Sequence, residues 1–245
     1  MNSQIKTEFL DYTDGGETFE AYAAYDAAAI EKNEKRPCIL VSHAWGGQSD
    51  FEREKAEKLA GLGYVGFALD IYGKGKRGST MEENAKLMQP YVDDRKLLLS
   101  RLNAALAAAA KHPAVDSSRI GAIGFCFGGL CVLDLARSAA PNVQGVVSFH
   151  GLFSPPEIGE QKAITAKVLI LHGYDDPMAT PENMVGIANE LTAASCDWQI
   201  HAYGKTMHAF SNPGANMPEN GILYNENADK RSDRAMVNFF EEIFA

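Results

Sequence analysis

Nowhere in these 245 residues does an apolar run approach the ~18 residues needed to cross a bilayer, so no membrane partner is expected. A basic excess is also missing. The 23 Lys and Arg against 32 Asp and Glu leave a formal net charge of -9, whereas nucleic-acid binding needs a basic face. Cysteine is scarce: Cys38, Cys126, Cys131 and Cys196 are scattered, with no CxxC spacing. The first ten residues, MNSQIKTEFL, lack the apolar core and cleavage site of an export signal. The expected compartment is therefore the cytoplasm, and the thiols are expected to be reduced, not paired as disulfides or bound to zinc. No two histidines have metal-ligand spacing, so neither a metal nor a cofactor is expected. Repeats, low-complexity tracts and long linkers are absent too. The length fits one domain over residues 1–245, as a monomer or a homodimer.

What is present is an alternation of short apolar runs and helical stretches. Ile5–Tyr12 and Phe19–Tyr25, joined through Asp14-Gly15-Gly16, predict an antiparallel start. The runs Cys38–His43, Tyr64–Asp70, Ile120–Phe125, Val143–Phe149, Val168–His172 and Trp198–Tyr203 then read as buried parallel strands. Helices are predicted over Phe51–Leu62, Met81–His112, Gly128–Ser138, Pro181–Ala194 and Ala228–Phe244. This order predicts an α/β fold, a mostly parallel central sheet with helices on both faces. Ligands of such sheets bind beyond the carboxyl ends of the strands. The residues there include His43, Ala44, Trp45, Tyr72, Lys74, Cys126, His150, Asp175, Asp176, His208 and Phe210.

Gly124-Phe125-Cys126-Phe127-Gly128 stands directly after one strand and before one helix. It matches the nucleophile elbow of α/β-hydrolases with sulfur in place of oxygen. The following helix points its N-terminal amides at the sulfur and favours the thiolate, the attacking species. A cysteine nucleophile needs a base, and the base needs an orienting acid. In this fold both follow the nucleophile, acid first. Asp175-Asp176-Pro177 follows the strand ending at His172, and Met207-His208-Ala209-Phe210 follows the last strand. Asp176 is the preferred acid, with Asp175 as its rival, and His208 is the base. The oxyanion donors are assigned to the backbone amides of Phe127 and of Trp45, the latter in the glycine-bearing loop His43-Ala44-Trp45-Gly46-Gly47. Substrate contacts are expected among His43, Ala44, Tyr72, Lys74 and Phe210.

Two GxGxxG matches compete with this reading. Gly61 to Gly66 precedes a strand, the wrong context for a dinucleotide fingerprint. Gly73 to Gly78 does follow one, but no acid-ended strand appears about 20 residues later. Lys74 and Arg77 make the second loop a possible anion contact.

The segments HAWGGQSDFEREKAEKLAGLGYVGFALDIYGKG, IGAIGFCFGG, LILHGYDDP and YGKTMHAF resemble the dienelactone hydrolase family over nearly the whole chain. The resemblance implies an α/β-hydrolase fold and a Cys-Asp-His triad at Cys126, Asp176 and His208. It also implies oxyanion donors at Trp45 and Phe127, and a small ester or lactone as substrate. Ala44 stands where many members carry a glutamate that restrains the resting thiol, and Met81 and Asn212 stand where dienelactone-cleaving members place arginines. The family reading therefore implies an esterase or lactonase, without implying dienelactone as substrate. The alternative is a non-catalytic ligand-binding domain on a hydrolase fold.

Overall fold

A computed structural model describes residues 4–156 and 158–245. The chain falls into two compact units, Met1–Ala122 with Pro141–Val143, and Ile123–Ala140 with Gln144–Ala245.

In the first unit, alternating exposure in the second half of one strand, a nearly continuously buried second strand and a tight glycine turn make the expected hairpin. β1 (Ile5–Asp14) and β2 (Glu17–Asp26) pair antiparallel from Ile5↔Asp26 to Asp14↔Glu17. Both strands extend past the predicted runs, because threonine and the acidic residues at their ends fit the solvated face of the hairpin. α1 (Ala27–Glu31) follows, capped by Asp26. β2 pairs antiparallel with β4 (Val65–Ala68), which runs parallel to β3 (Arg36–Ser42), giving the order β1-β2-β4-β3. Between β3 and β4, α2 (Asp50–Gly61) starts from a reciprocal capping box of Ser49 and Glu52.

The helix predicted over Met81–His112 is in fact two, α3 (Met81–Asp93) and α4 (Arg95–Ala110). Asp94 leaves helical geometry, with φ −120° and ψ 88°. Its carboxylate accepts the amide hydrogens of Lys96 and Leu97 at 3.1 and 3.0 Å, which starts a new helix. Capping chemistry therefore overrides the continuous helix propensity of the segment. Arg101 of α4 ties the helix to the hairpin turn. Its guanidinium reaches Asp14 Oδ2 at 2.7 Å and Glu17 Oε2 at 2.9 Å, and lies 4.7 Å over the Phe19 ring.

β5 (Val115–Phe125) starts five residues before its predicted apolar run, and its last residues open the second unit. There β6 (Val143–Phe149), β7 (Lys167–Gly173) and β8 (Trp198–Tyr203) are parallel neighbours in that order. α5 (Phe127–Arg137) is buried along its whole length, and α6 (Pro181–Ala193) and α7 (Glu226–Ile243) are further helices of this unit. Val146, Val147, Val168, Leu169, Ile170 and Leu171 are essentially inaccessible to solvent. Each such side chain contributes roughly 1.5–3 kcal/mol by leaving water. Two short strands, β9 (Asn216–Met217) and β10 (Ile222–Leu223), form a small antiparallel ladder beyond β8. Parallel strands alternating with helices after an antiparallel start are the expected architecture.

Candidate active site

Cys126 occupies the junction of β5 and α5 with φ 56° and ψ −114°, a conformation that residues with a Cβ rarely adopt. The turn is sharp because Gly124 allows it: a Cβ there would lie 1.9 Å from the Gly128 carbonyl oxygen. The Cys126 amide donates both to the Phe149 carbonyl (3.1 Å) and to His150 Nδ1 (3.2 Å). Cys126 itself is half-buried. Among the other thiols, burial pushes Cys38 far up and raises Cys196 to about 11. Cys131 is also buried. Those environments suit inert thiols.

The loop after β7 carries both candidate acids, and they differ sharply. Asp175 is exposed, whereas Asp176 is buried. Asp176 Oδ1 accepts the Met178 amide at 2.8 Å, and Oδ2 lies 2.7 Å from His208 Nδ1. Gly173 lets the acid loop pass the histidine loop, since a Cβ would stand 2.6 Å from the carbonyl oxygens of both Thr206 and Met207. The Asp175 amide then bonds Thr206 O at 2.9 Å. The backbone of His208 is held from its other side by Gly221 and Leu223, at 2.9 and 3.1 Å.

His208 is 2 % exposed, and its Nε2 has no hydrogen bond of ordinary geometry. Burial by itself would depress this imidazole. The negative charge of Cys126 and the Asp176 hydrogen bond outweigh it and push His208 up to about 10. Sulfur, imidazole and carboxylate thus interact in the expected order. Phe127 starts α5, fully buried. Phe210 is also fully buried, with its ring edge-to-face on His150 and Tyr203.

The remaining predicted residues lie in the first unit and organise loops there. His43 is inaccessible; its Nε2 accepts the Ile71 amide (3.1 Å) and its Nδ1 donates to Ala44 O (2.7 Å). Burial lowers its pKa, which agrees with this neutral tautomer. The Ala44 amide reaches Glu52 Oε1 at 3.3 Å. Tyr72, 1 % exposed, donates its hydroxyl to Trp45 O at 2.9 Å. Asp70 Oδ1 holds the turn by accepting the amides of Tyr72 and Gly73 at 3.1 and 3.2 Å. The three cations of the second glycine loop are engaged internally: Lys74 with Asp11 (2.7 Å) and Glu20 (2.9 Å), Lys76 with Glu17 (3.4 Å), and Arg77 with the Gln48 and Lys76 carbonyls.

Two further residues, His150 and Ser211, connect to the backbone of the nucleophile. The sequence places His150 at a strand end without naming its partners, and no motif marks Ser211. His150 Nε2 meets Ser211 Oγ at 2.9 Å. Spacing offered one faint signal, since Ser211 lies three residues after His208 on the same loop. Among the described residues, no cluster of three or more His, Cys, Asp or Glu could hold a metal ion. No helix among them is long and apolar enough to cross a membrane.

The model described as the dienelactone hydrolase family matches residues 19–244. The chain is similar to the solved structure named m3DLH, with 35% identity, a TM-score of 0.92 and coverage of 98% of this chain and 99% of that one. It is similar as well to a dienelactone hydrolase-like promiscuous phosphotriesterase from metagenomic libraries, at 34% identity, TM-score 0.89 and 98% coverage of each chain. A Bradyrhizobium sp. protein named "Probable 2-oxo-3-(5-oxofuran-2-ylidene)propanoate lactonase" is 26% identical over 215 residues, 84% of this chain and 85% of its own.

Proposed function

The chain belongs to the dienelactone hydrolase family, and from that premise we propose that it is a cysteine-dependent hydrolase cleaving small carboxylic esters or lactones through an acyl-cysteine intermediate. The observation that carries this reading is the buried His208–Asp176 pair, whose imidazolium is upheld by the charge of Cys126. The lactonase among the similar proteins supports the substrate class.

Asp176 accepts the Nδ1 hydrogen of His208, which leaves Nε2 to exchange a proton with the sulfur. In the thiolate–imidazolium form, Cys126 Sγ attacks the carbonyl carbon and the carbonyl electrons move to oxygen. The amide of Phe127 stabilises that oxyanion, and the second donor assigned is the Trp45 amide, which rests on motif order. Collapse expels the alkoxide, which takes the Nε2 proton. Neutral His208 then removes a proton from water, the hydroxide attacks the thioester, and the thiolate leaves while the imidazolium is restored. A thiolate expels poor leaving groups badly, so amides fall outside the substrate range. Of the substrate-contact candidates we retain Ala44, which is half-buried; His43, Tyr72 and Phe210 are internal, and Lys74 is neutralised by its two carboxylates. We read the compartment as cytoplasmic, supported by four cysteines that are all free.

Cys126→Ala tests the reading. Hydrolysis of small aryl esters should fall by about 10³-fold or more. Undiminished turnover by that variant refutes the nucleophile and leaves a ligand-binding domain as the better reading. Similarity to a phosphotriesterase favours adding a phosphotriester to the panel, where the same sulfur would attack phosphorus.

A further inference from the structure

We propose that His150 is a positioning residue: a neutral imidazole, locked in one tautomer, that couples the backbone of the nucleophile elbow to the loop carrying the base. The inference rests on the hydrolase reading above and adds a residue to it.

His150 directly follows β6 in a left-handed conformation, φ 38°, and is 2 % exposed. A residue with a Cβ adopts that backbone only where its surroundings over-determine it. Its own amide is fixed to Leu171 O at 2.8 Å. The tautomer follows from the partners. The amide of Cys126 can only donate, and it shares its hydrogen between the Phe149 carbonyl at 3.1 Å and Nδ1 at 3.2 Å, so Nδ1 presents a lone pair. Nε2 therefore carries the hydrogen and donates it to Ser211 Oγ at 2.9 Å. The same ring lies edge-to-face against His208, with centroids 5.2 Å apart, and against Phe210 at 5.1 Å. One side chain thus touches the backbone of the nucleophile, the ring of the base and the loop three residues beyond it.

Protonating His150 would destroy this arrangement. Nδ1 would become a donor facing the Cys126 amide, and a second cation would stand against the His208 imidazolium. The titratable groups that its contacts place beside it are Cys126 from the elbow and His208 from its loop, with Asp176 behind. The neutral form is thus the one compatible with an active pair, and the acceptor at the δ position is the functional atom.

Two substitutions separate the two nitrogens. His150→Asn keeps an acceptor at the δ position and tolerates a left-handed backbone well. His150→Gln keeps a polar group at the ε position but loses the δ acceptor. Each variant is assayed for kcat and KM on a small aryl ester and for the pH profile of Cys126 alkylation by iodoacetamide, with circular dichroism confirming the fold. The expected result is a kcat loss of about 10-fold or more in His150→Gln at little-changed KM, with a displaced alkylation profile and recovery of most of kcat in His150→Asn. Ser211→Ala should lower kcat less, because it frees the tautomer without removing the acceptor. Folded His150→Gln with wild-type kcat and alkylation profile overturns the proposal, as does His150→Asn falling as far as His150→Gln. If Cys126→Ala abolishes turnover in the same panel, either outcome refutes only the role of His150. If Cys126→Ala stays active, the hydrolase reading itself has failed.

Discussion

Replacing Asp176 with asparagine changes almost no volume and should nevertheless disable the site. The His208 Nδ1 to Asp176 Oδ2 contact is 2.7 Å long, between side chains that are 2 % and 0 % exposed. A charge-assisted hydrogen bond contributes about 1.5–3 kcal/mol, and breaking a buried pair while one charge stays behind costs about 3–5 kcal/mol. Geometry adds to this. The Met178 amide donates to Oδ1 at 2.8 Å, so it will keep the oxygen of an asparagine and turn the amide nitrogen toward His208. His208 Nδ1 must then present a lone pair, and its hydrogen moves to Nε2, the nitrogen that has to receive the proton of the thiol. We expect kcat/KM for a small aryl ester to fall about 10²- to 10³-fold. Alkylation of Cys126 near neutral pH should slow in parallel. Asp175→Asn, at the exposed neighbour, should stay within about 3-fold of wild type. The reasoning is refuted if Asp176→Asn retains wild-type activity, or if both substitutions reduce it equally.

Further predictions concern the elbow and the ion pair. Gly124→Ala forces a Cβ to 1.9 Å from Gly128 O, so thermal or urea unfolding should show a loss of about 3 kcal/mol or more. Cys126→Gly should unfold at higher denaturant than Cys126→Ala, by about 1 kcal/mol, because glycine accepts φ 56° without strain. Equal midpoints would mean that the elbow is not strained. The His208 imidazolium, raised to about 10 from the ordinary 6.5, stabilises the native state fully below pH 6.5 and loses that contribution as pH rises through 10. Melting temperature should therefore fall more steeply between pH 6.5 and 10 in wild type than in His208→Asn, and parallel curves across that window would contradict it.

The strand ends, the elbow and the order of acid and histidine were legible because each depends on local pattern: apolar runs, glycine spacing and chain order. The choice between Asp175 and Asp176 remained a preference at that level. Neighbouring carboxylates look alike until the Gly173 turn buries one and exposes the other. The break at Asp94 was hidden in a strongly helical segment, since a cap shows only when its side chain turns back onto Lys96 and Leu97. Lys74 read as an anion contact because its neutralising partners, Asp11 and Glu20, lie more than fifty residues earlier. The tautomer of His150 depends on Cys126 and Ser211, which are remote in sequence on either side, so no spacing rule could have revealed it.

The central claim is that Cys126 carries the acyl group. Rapid acid quenching of the enzyme during turnover of an activated ester, followed by intact and peptide mass spectrometry, tests this most directly. The account predicts one acyl adduct, on the peptide containing Cys126, that decays with product formation and is absent from Cys126→Ala. Continued turnover with no adduct at Cys126, or with the acyl group on another residue, would contradict it.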